Sequence, residues 1–493
     1  MSSRRPTILI RADGSPEIGT GHIMRCLSLA QGWQHAGGDC HFAFTSVTPA
    51  LEQRLRDAGI AFTHLAAPAG GDADADSTAA YAQQLGAAWI VADGYRFGST
   101  YQRRIKAAGQ RLLLLDDYGH ADSYCADLVL NQNLSARADW YANRESTTAL
   151  LLGTRYALLR EQFLVYRDWK REIPVVARKV LVTLGGTDPD NFTGKVVEAL
   201  SGLDVDLKVV VGGSSPHYAS LSAAVHSPNT VIRDASDMPA FMSWADVAIV
   251  AGGSTSWEAA FMGLPSLVLV LAENQRAVAA SLDSAGIAPR TTVDRIASDL
   301  ALLLSSLERR RAASERGQQL VDGSGVERVV TALRATCLTI RRAREDDCRL
   351  IWNWANDPDV RSNSFNSNPI PWEVHQQWFA DKLTGHYSAI YIGCNKSGQP
   401  IGQVRFDWTV QGEARIGVSV DRAFRNAGWG SVLIRRATDE AFRVAPIMTI
   451  HAYVKAKNAA SVRSFLKAGF FRVGTATIHD HSAVHLRLER NDE

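Results

Sequence analysis

Three stretches of this 493-residue chain carry residue types that do chemistry. The first is RADGSPEIGTGHIMRCLSLA (11–30), in which Gly19, Thr20 and Gly21 precede His22 where a helix is expected to start. The positive end of a helix disfavours an imidazolium, so a histidine there is kept neutral and able to accept a proton; a capping or packing residue is the plain alternative. The second is VAIVAGGSTSWEAAFMGLPSLVLVLAENQ (247–275), where a strand ends in Gly252 and Gly253, Ser254 and Thr255 supply hydroxyls and N-cap character, and a helix begins near Trp257. Backbone N–H groups at such a helix start form an anion site. Glu258 is read in the first helical turn, where its carboxylate either favours the helix end or accepts two hydrogen bonds from a ribose diol. The third is VSVDRAFRNAGWGSVLIRRA (418–437), whose R-x-x-G-x-G spacing, Arg425, Gly428 and Gly430, makes an anion cradle suited to a pyrophosphate.

These residues need elements to hold them. Short apolar runs at 8–10, 89–92, 112–115 and 128–130 alternate with helical-period segments such as 23–33, the rhythm of βαβ units on a parallel sheet. After the polar connection 168–179 the rhythm restarts with VLVTLGG, LKVVVGG, DVAIVAGGS and SLVLVLA. Two doubly wound halves in tandem bring the carboxyl ends of two sheets face to face across a cleft, where such sheets bind ligands. Successive strands end on one side of a parallel sheet, so Asn274 and the turn LGGTDPDN (184–191), with Gly186, are placed on the same rim as 252–258. Three glycine-rich turns converging on one rim predict a diphosphate site. GTGHIM lacks the third glycine of a dinucleotide fingerprint and no acid marks a ribose site, which argues against a dehydrogenase.

Composition narrows the partners. Lys plus Arg number 53 against 51 Asp plus Glu, so binding driven by phosphate neutralisation is not expected and nucleic acid is excluded as a partner. Six scattered cysteines without C-x-x-C spacing point to a reduced, metal-free chain. No apolar run approaches the ~20 residues of a membrane span, and the N-terminal apolar stretch is too short for a signal peptide, so the expected location is the cytoplasm, without a membrane partner.

With those motifs, VADGYRFG (91–98), LLLDDYG (113–119), LVLNQN (128–133) and LLGTRYALLREQF (151–163) in order, the region 7–333 resembles the UDP-2,4-diacetamido-2,4,6-trideoxy-β-L-altropyranose hydrolases of pseudaminic acid biosynthesis. The resemblance implies a glycosyltransferase-B-like fold and release of UDP from its sugar by hydrolysis. It makes His22 the general base, with Gly21 clearing space beside it, and predicts inversion at the anomeric carbon, because water must be deprotonated opposite UDP. Asp13 is then placed to orient the His22 ring or hold a sugar hydroxyl, and Tyr95 is a third catalytic candidate, with Asp93 beside it. Gly186, Gly253, Ser254, Thr255, Glu258 and Asn274 fall to UDP. Asp116 and Asp117 form an acidic pair of a kind common in any loop.

The pair VSVDRAFRNAGWGSVLIRRA and YVKAKNAASVRSFLKAGF (453–470) resembles the GNAT acetyltransferases over 338–490, and WNWANDPDVRSNSFNSNPIPWEVHQQWF (352–379) is similar to the amino-sugar N-acetyltransferases. The resemblance implies acetyl-CoA as co-substrate, held by the Val418 and Val420 backbone, by Arg425, Asn426, Gly428, Gly430 and Ser431, and by Asn458. Two positions depart from the pattern: Phe465 stands where many members place a tyrosine acid, and Arg415 where an acid often lies. The base is then Glu413 or a water. Trp352, Trp354, Trp372 and Trp378 are expected to build core, with a minority lining the acceptor pocket. The expected domains are 1–170, 171–335 and 338–490. The expected whole is a bifunctional enzyme on a UDP-linked amino sugar with no cofactor or metal for hydrolysis; the alternative is a UDP-sugar transferase with a non-catalytic acetyl-CoA-binding module.

Overall fold

The computed structural model describes residues 5–15, 18–186, 188–213, 215–226, 229–336, 338–395 and 398–490. Pro16, Glu17, Thr187 and Cys337 therefore lie outside the described residues. The chain forms two compact units, Met1–Val326 and Glu327–Glu493.

The first unit holds two all-parallel sheets. Strands β1 (Thr7–Ala12), β2 (Asp39–Phe44), β3 (Ala61–His64), β4 (Ala87–Asp93), β5 (Leu112–Leu115), β6 (Leu128–Asn131) and β7 (Ala149–Leu152) run in the order β3-β2-β1-β4-β5-β6-β7. Strands β8 (Lys179–Thr183), β9 (Asp206–Val211), β10 (Thr230–Arg233), β11 (Val247–Ala251), β12 (Ser266–Leu269) and β13 (Arg290–Thr291) run β10-β9-β8-β11-β12-β13. TILIRA in β1 and VAIVA in β11 are buried along their whole length, as strands covered by helices on both faces must be. Strand order reverses between β1 and β4 and again between β8 and β11, and a crevice opens outside the carboxyl ends at each such point. The turns after those four strands carry His22, Tyr95, Gly186 and Ser254.

The second unit is a mixed sheet of β14 (Thr339–Arg342), β15 (Ser388–Cys394), β16 (Pro400–Trp408), β17 (Glu413–Val420), β18 (Thr449–Lys455), β19 (Phe471–Ile478) and β20 (His481–Glu489), in the order β14-β15-β16-β17-β18-β20-β19. Only β17 and β18 pair in parallel, and their register holds just Glu413, Ala414 and Arg415. The two strands separate before Val418 and Val420. One face of the sheet packs the apolar side of the helix Trp429–Val444, with Val432, Leu433 and Ala437 in the core. Of the four tryptophans expected in this core, Trp354 is buried, whereas Trp352, Trp372 and Trp378 are part-exposed, and Trp378 lines a pocket.

Among the described residues no helix is long and apolar enough to cross a membrane, and no group of three or more His, Cys, Asp or Glu is placed to hold a metal ion. The five described cysteines are free.

Candidate functional site

In the first unit a cleft of about 520 Å³ is lined by Gly21, His22 and Tyr95 from one sheet's turns and by Gly186, Gly253, Ser254, Thr255, Glu258 and Asn274 from the other's. Asp13 is not among the lining residues. Its carboxylate pairs with Arg11 at 2.9 Å and accepts from the Thr45 and Ser46 amides at 2.7 and 3.1 Å. Arg11 is itself wholly buried and pairs with Asp74. Asp13 therefore fastens β1 to the turn after β2, and the acid on the His22 ring is Asp93.

The helix Gly21–His35 starts with Thr20 at its N-cap and His22 as its second residue. Gly19 adopts φ +85°, a left-handed turn that lets the chain enter the helix at this angle. His22 Nδ1 lies 2.6 Å from Asp93 Oδ1, at the end of β4. A carboxylate can only accept from a neutral ring, so Nδ1 carries the proton and the Nε2 lone pair is left for chemistry. Arg25, one turn further along the helix, donates Nε to Asp93 Oδ2 and Nη2 to Asp93 Oδ1, each at 2.6 Å, and Nη1 to Asp117 at 2.7 Å. Burial alone would raise the Asp93 carboxyl, but the Arg25 guanidinium and the His22 ring hold it well below the usual carboxylate range. Asp93 is thus a fixed anion beneath the histidine.

Asp117 continues the chain. It accepts from Tyr95 Oη at 2.7 Å and Asn133 Nδ2 at 2.9 Å. Burial, then the Asp117 charge, push the Tyr95 phenol above its ordinary range, so Tyr95 acts as a hydrogen-bond donor and not as a base. Tyr95 also stands edge-on to His22, ring centres 5.1 Å apart, and accepts from Asn274 Nδ2 at 2.8 Å across the cleft. Arg54 pairs with Asp234 over the same opening.

On the side of the cleft formed by the second sheet, the helix is Ser254–Phe261, three residues earlier than the pattern around Trp257 suggests. Gly253 is the N-cap, and no side chain caps it, so Ser254 and Thr255 are the first helical residues and offer amides, not capping hydroxyls. Glu258 sits one turn in and is buried, and Arg160 binds it through two contacts at 2.6 and 2.8 Å. Both line the cleft. The turn 184–191 differs from expectation: Asp188 accepts from the Phe192 and Thr193 amides at 2.9 and 2.7 Å, and Asn191 accepts from Gly194. A carboxylate already fills that helix start and would repel a phosphate, so the Gly186 turn contributes backbone wall, whereas no side chain caps the helix start at Ser254.

In the second unit, Asn426 and Gly428 adopt φ of 61° and 77°, and the helix Trp429–Val444 begins on Gly428. Arg425 is turned away from a free anion: it pairs with Asp357 and Asp359 at 2.9 Å and donates to the Val420 carbonyl at 3.0 Å. The Ser431 hydroxyl donates to the Gly428 carbonyl and is buried, and Gly430 faces Ser464. Asn458 caps the helix Ala459–Lys467 by accepting from the Ser461 amide at 3.1 Å. Arg334, which the sequence pattern did not single out, donates to the Ala427 carbonyl in the same loop and lies over Trp429. Phe465 is core, packed edge-on to Phe470. Glu413 is bound to His451 and lies outside the pocket of this unit, which is lined by Val418, Arg361, His375, Trp378 and Arg405.

Comparison with known proteins places these sites in a wider set. Residues 338–471 match the acetyltransferase (GNAT) domain, whose co-substrate is acetyl-CoA. The chain is 21% identical over 492 residues to the uncharacterised protein MJ1062 of Methanocaldococcus jannaschii, covering 94% of this chain and 96% of that one. It is 31% identical over 202 residues to the spore coat polysaccharide biosynthesis protein SpsG of Bacillus subtilis, covering 38% of this chain and 57% of SpsG. It is 25% identical over 213 residues, 43% of this chain, to the pseudaminic acid cytidylyltransferase and UDP-2,4-diacetamido-2,4,6-trideoxy-beta-L-altropyranose hydrolase of Helicobacter pylori, of which 39% is covered. An α/β chain with two parallel Rossmann-like sheets and a GNAT domain is thus similar over part of its length to proteins of sugar biosynthesis.

Proposed function

We propose that the chain is a bifunctional nucleotide-sugar enzyme: an inverting, metal-independent UDP-sugar hydrolase in the first unit and an acetyl-CoA-dependent N-acetyltransferase in the second. The observation that carries the first activity is His22, held from behind by Asp93, lining the same cleft as the uncapped helix start at Ser254 and Thr255. The Ser254 and Thr255 amides and the helix dipole stabilise the departing diphosphate, so its loss needs no strong acid. His22 Nε2 takes a proton from water on the opposite face of the sugar, and Asp93 stabilises the imidazolium that forms, as the carboxylate does in a catalytic triad. Water attacks as UDP leaves, which inverts the anomeric carbon. The partial likeness to the Helicobacter pylori hydrolase supports UDP-2,4-diacetamido-2,4,6-trideoxy-β-L-altropyranose as substrate.

The second unit's pocket carries Arg361 and Arg405 and no carboxylate among its described lining residues. Among the described residues Arg361 bonds the Asn366 and Asn368 carbonyls and the Ser364 hydroxyl, and no carboxylate. A polycationic amine would meet the Arg361 charge there, since Arg405 is paired with Asp407 at 2.9 Å, whereas an amino-sugar nucleotide brings a diphosphate, which favours the UDP-4-amino sugar as acceptor. Mass spectrometry of the purified chain with each sugar nucleotide, with and without acetyl-CoA, tests both halves. UDP and free sugar are expected without any acceptor; UDP release that requires a sugar or lipid acceptor would make the first unit a transferase, and no acetylated product would leave the second a binding module.

A further inference from the structure

Acetyl transfer to an amine requires a group that removes the ammonium proton, and the expected candidates do not serve. Phe465 has no acidic proton and is packed in the core, and Glu413 is bound to His451 outside the acceptor pocket. Among the described lining residues of that pocket the arginines stay protonated, which leaves His375 as the side chain able to accept a proton near neutral pH.

His375 projects from the helix Trp372–Thr384 within the segment PWEVHQQWF, a motif the hydrolytic site does not use. Its ring is 1% exposed and stacks against Trp372 and Phe379, with ring centres at 6.2 and 6.0 Å, which fixes its plane. Nε2 lies 3.2 Å from the Cys348 carbonyl. A carbonyl only accepts, so Nε2 carries the proton and Nδ1 keeps the lone pair. The same pocket is lined by Gly417, Val418 and Ser419, the part of β17 that has separated from β18.

We propose that His375 is the general base of acetyl transfer in the second unit, an inference that rests on the N-acetyltransferase reading above. The acceptor ammonium gives one proton to Nδ1, and the neutral amine attacks the thioester carbonyl of acetyl-CoA. A C–N bond forms, the C–S bond breaks, and the sulfur leaves with the electron pair. The second proton lost from nitrogen goes to that thiolate, giving the amide and free CoA, and His375 returns its proton to solvent. Burial pushes the His375 imidazolium form down, and the hydrogen bond to the Cys348 carbonyl acts the other way.

The test is acetylation of a UDP-4-amino sugar by the full chain, with kcat and KM followed against pH for the wild type, His375→Gln and His375→Ala. The Gln variant is expected to lose about 10²-fold in kcat, with KM for both substrates kept and the acid limb of the kcat profile gone. Added imidazole should restore turnover to His375→Ala. A wild-type kcat profile with no acid limb, or variants that retain it, overturns the assignment while acetylation itself stands, and the wild-type profile decides the question if neither variant folds. Absence of acetylation by the wild type would instead overturn the activity on which the inference rests.

Discussion

Replacing Asp93 by Asn keeps the size of the side chain and removes its charge, which isolates what the carboxylate does for His22. Three donor contacts of 2.6 Å converge on it, one from His22 Nδ1 and two from Arg25. An asparagine that keeps the Arg25 Nε contact at the Oδ2 position turns its NH₂ toward His22, which makes Nδ1 the acceptor and moves the ring proton to Nε2. The lone pair that should take a proton from water is then gone. A carboxylate-to-amide change that imposes the wrong tautomer on a catalytic histidine costs about 10⁴-fold in kcat in the best-studied triad, equivalent to about 5 kcal/mol of barrier. Arg25 keeps its Asp117 contact, so the fold should survive with a lowered Tm. The assay is UDP release under saturating sugar nucleotide, with KM expected to stay near the wild-type value because Asp93 does not line the cleft. His22→Asn and the double variant should be equally slow, since the two residues act as one unit. Near-wild-type turnover by Asp93→Asn, or losses that multiply in the double variant, would exclude Asp93 as the residue that sets the His22 tautomer.

Two further expectations follow from packing and charge. In Gly212→Ala the new Cβ would lie 1.9 Å from the Gly186 carbonyl oxygen, so backbone on the cleft wall must shift; a loss of about 1–3 kcal/mol in denaturant unfolding is expected, and unchanged stability would contradict the packing. Burial alone would raise the Asp116 carboxyl, but His120, Tyr124 and the Tyr118 amide bring it down to about 2. A folded value below the unfolded one contributes stability above the unfolded value and loses it as pH falls through the folded one. Asp116 should thus contribute about 2 kcal/mol above pH ~4 that fades toward pH ~2. The wild type minus Asp116→Asn difference in unfolding free energy measures it, and a difference that does not change over that range would contradict the assignment.

Local signals in the sequence carry over into the structure where the chemistry is local. The glycine turn before His22, the Gly253 turn and the Gly428 turn all lie at helix starts, because strand-to-helix turns are written in a few adjacent residues. What the sequence concealed is long-range. Arg25 reads as one polar position in an amphipathic helix, yet it joins Asp93 and Asp117, residues 68 and 92 positions away. Nothing near Arg160 foretells its pairing with Glu258, 98 positions on. Asp13 and Asp93 each end a strand and look equivalent in sequence. The buried Arg11 claims Asp13, which leaves Asp93 for the histidine. Asp188 shows the opposite error: the glycine turn was legible as an anion site, but its own carboxylate occupies the helix start.

In the proposed hydrolysis His22, held by Asp93, activates water against a UDP-linked amino sugar. Its most direct test is acceptor-free UDP release by the full chain and by His22→Asn, with the anomeric configuration of the freshly released sugar read by NMR. Turnover by the wild type with inversion, undiminished by chelators, is expected, with a loss of about 10²–10⁴-fold in the variant. Retention of configuration, or undiminished hydrolysis by His22→Asn, would contradict it.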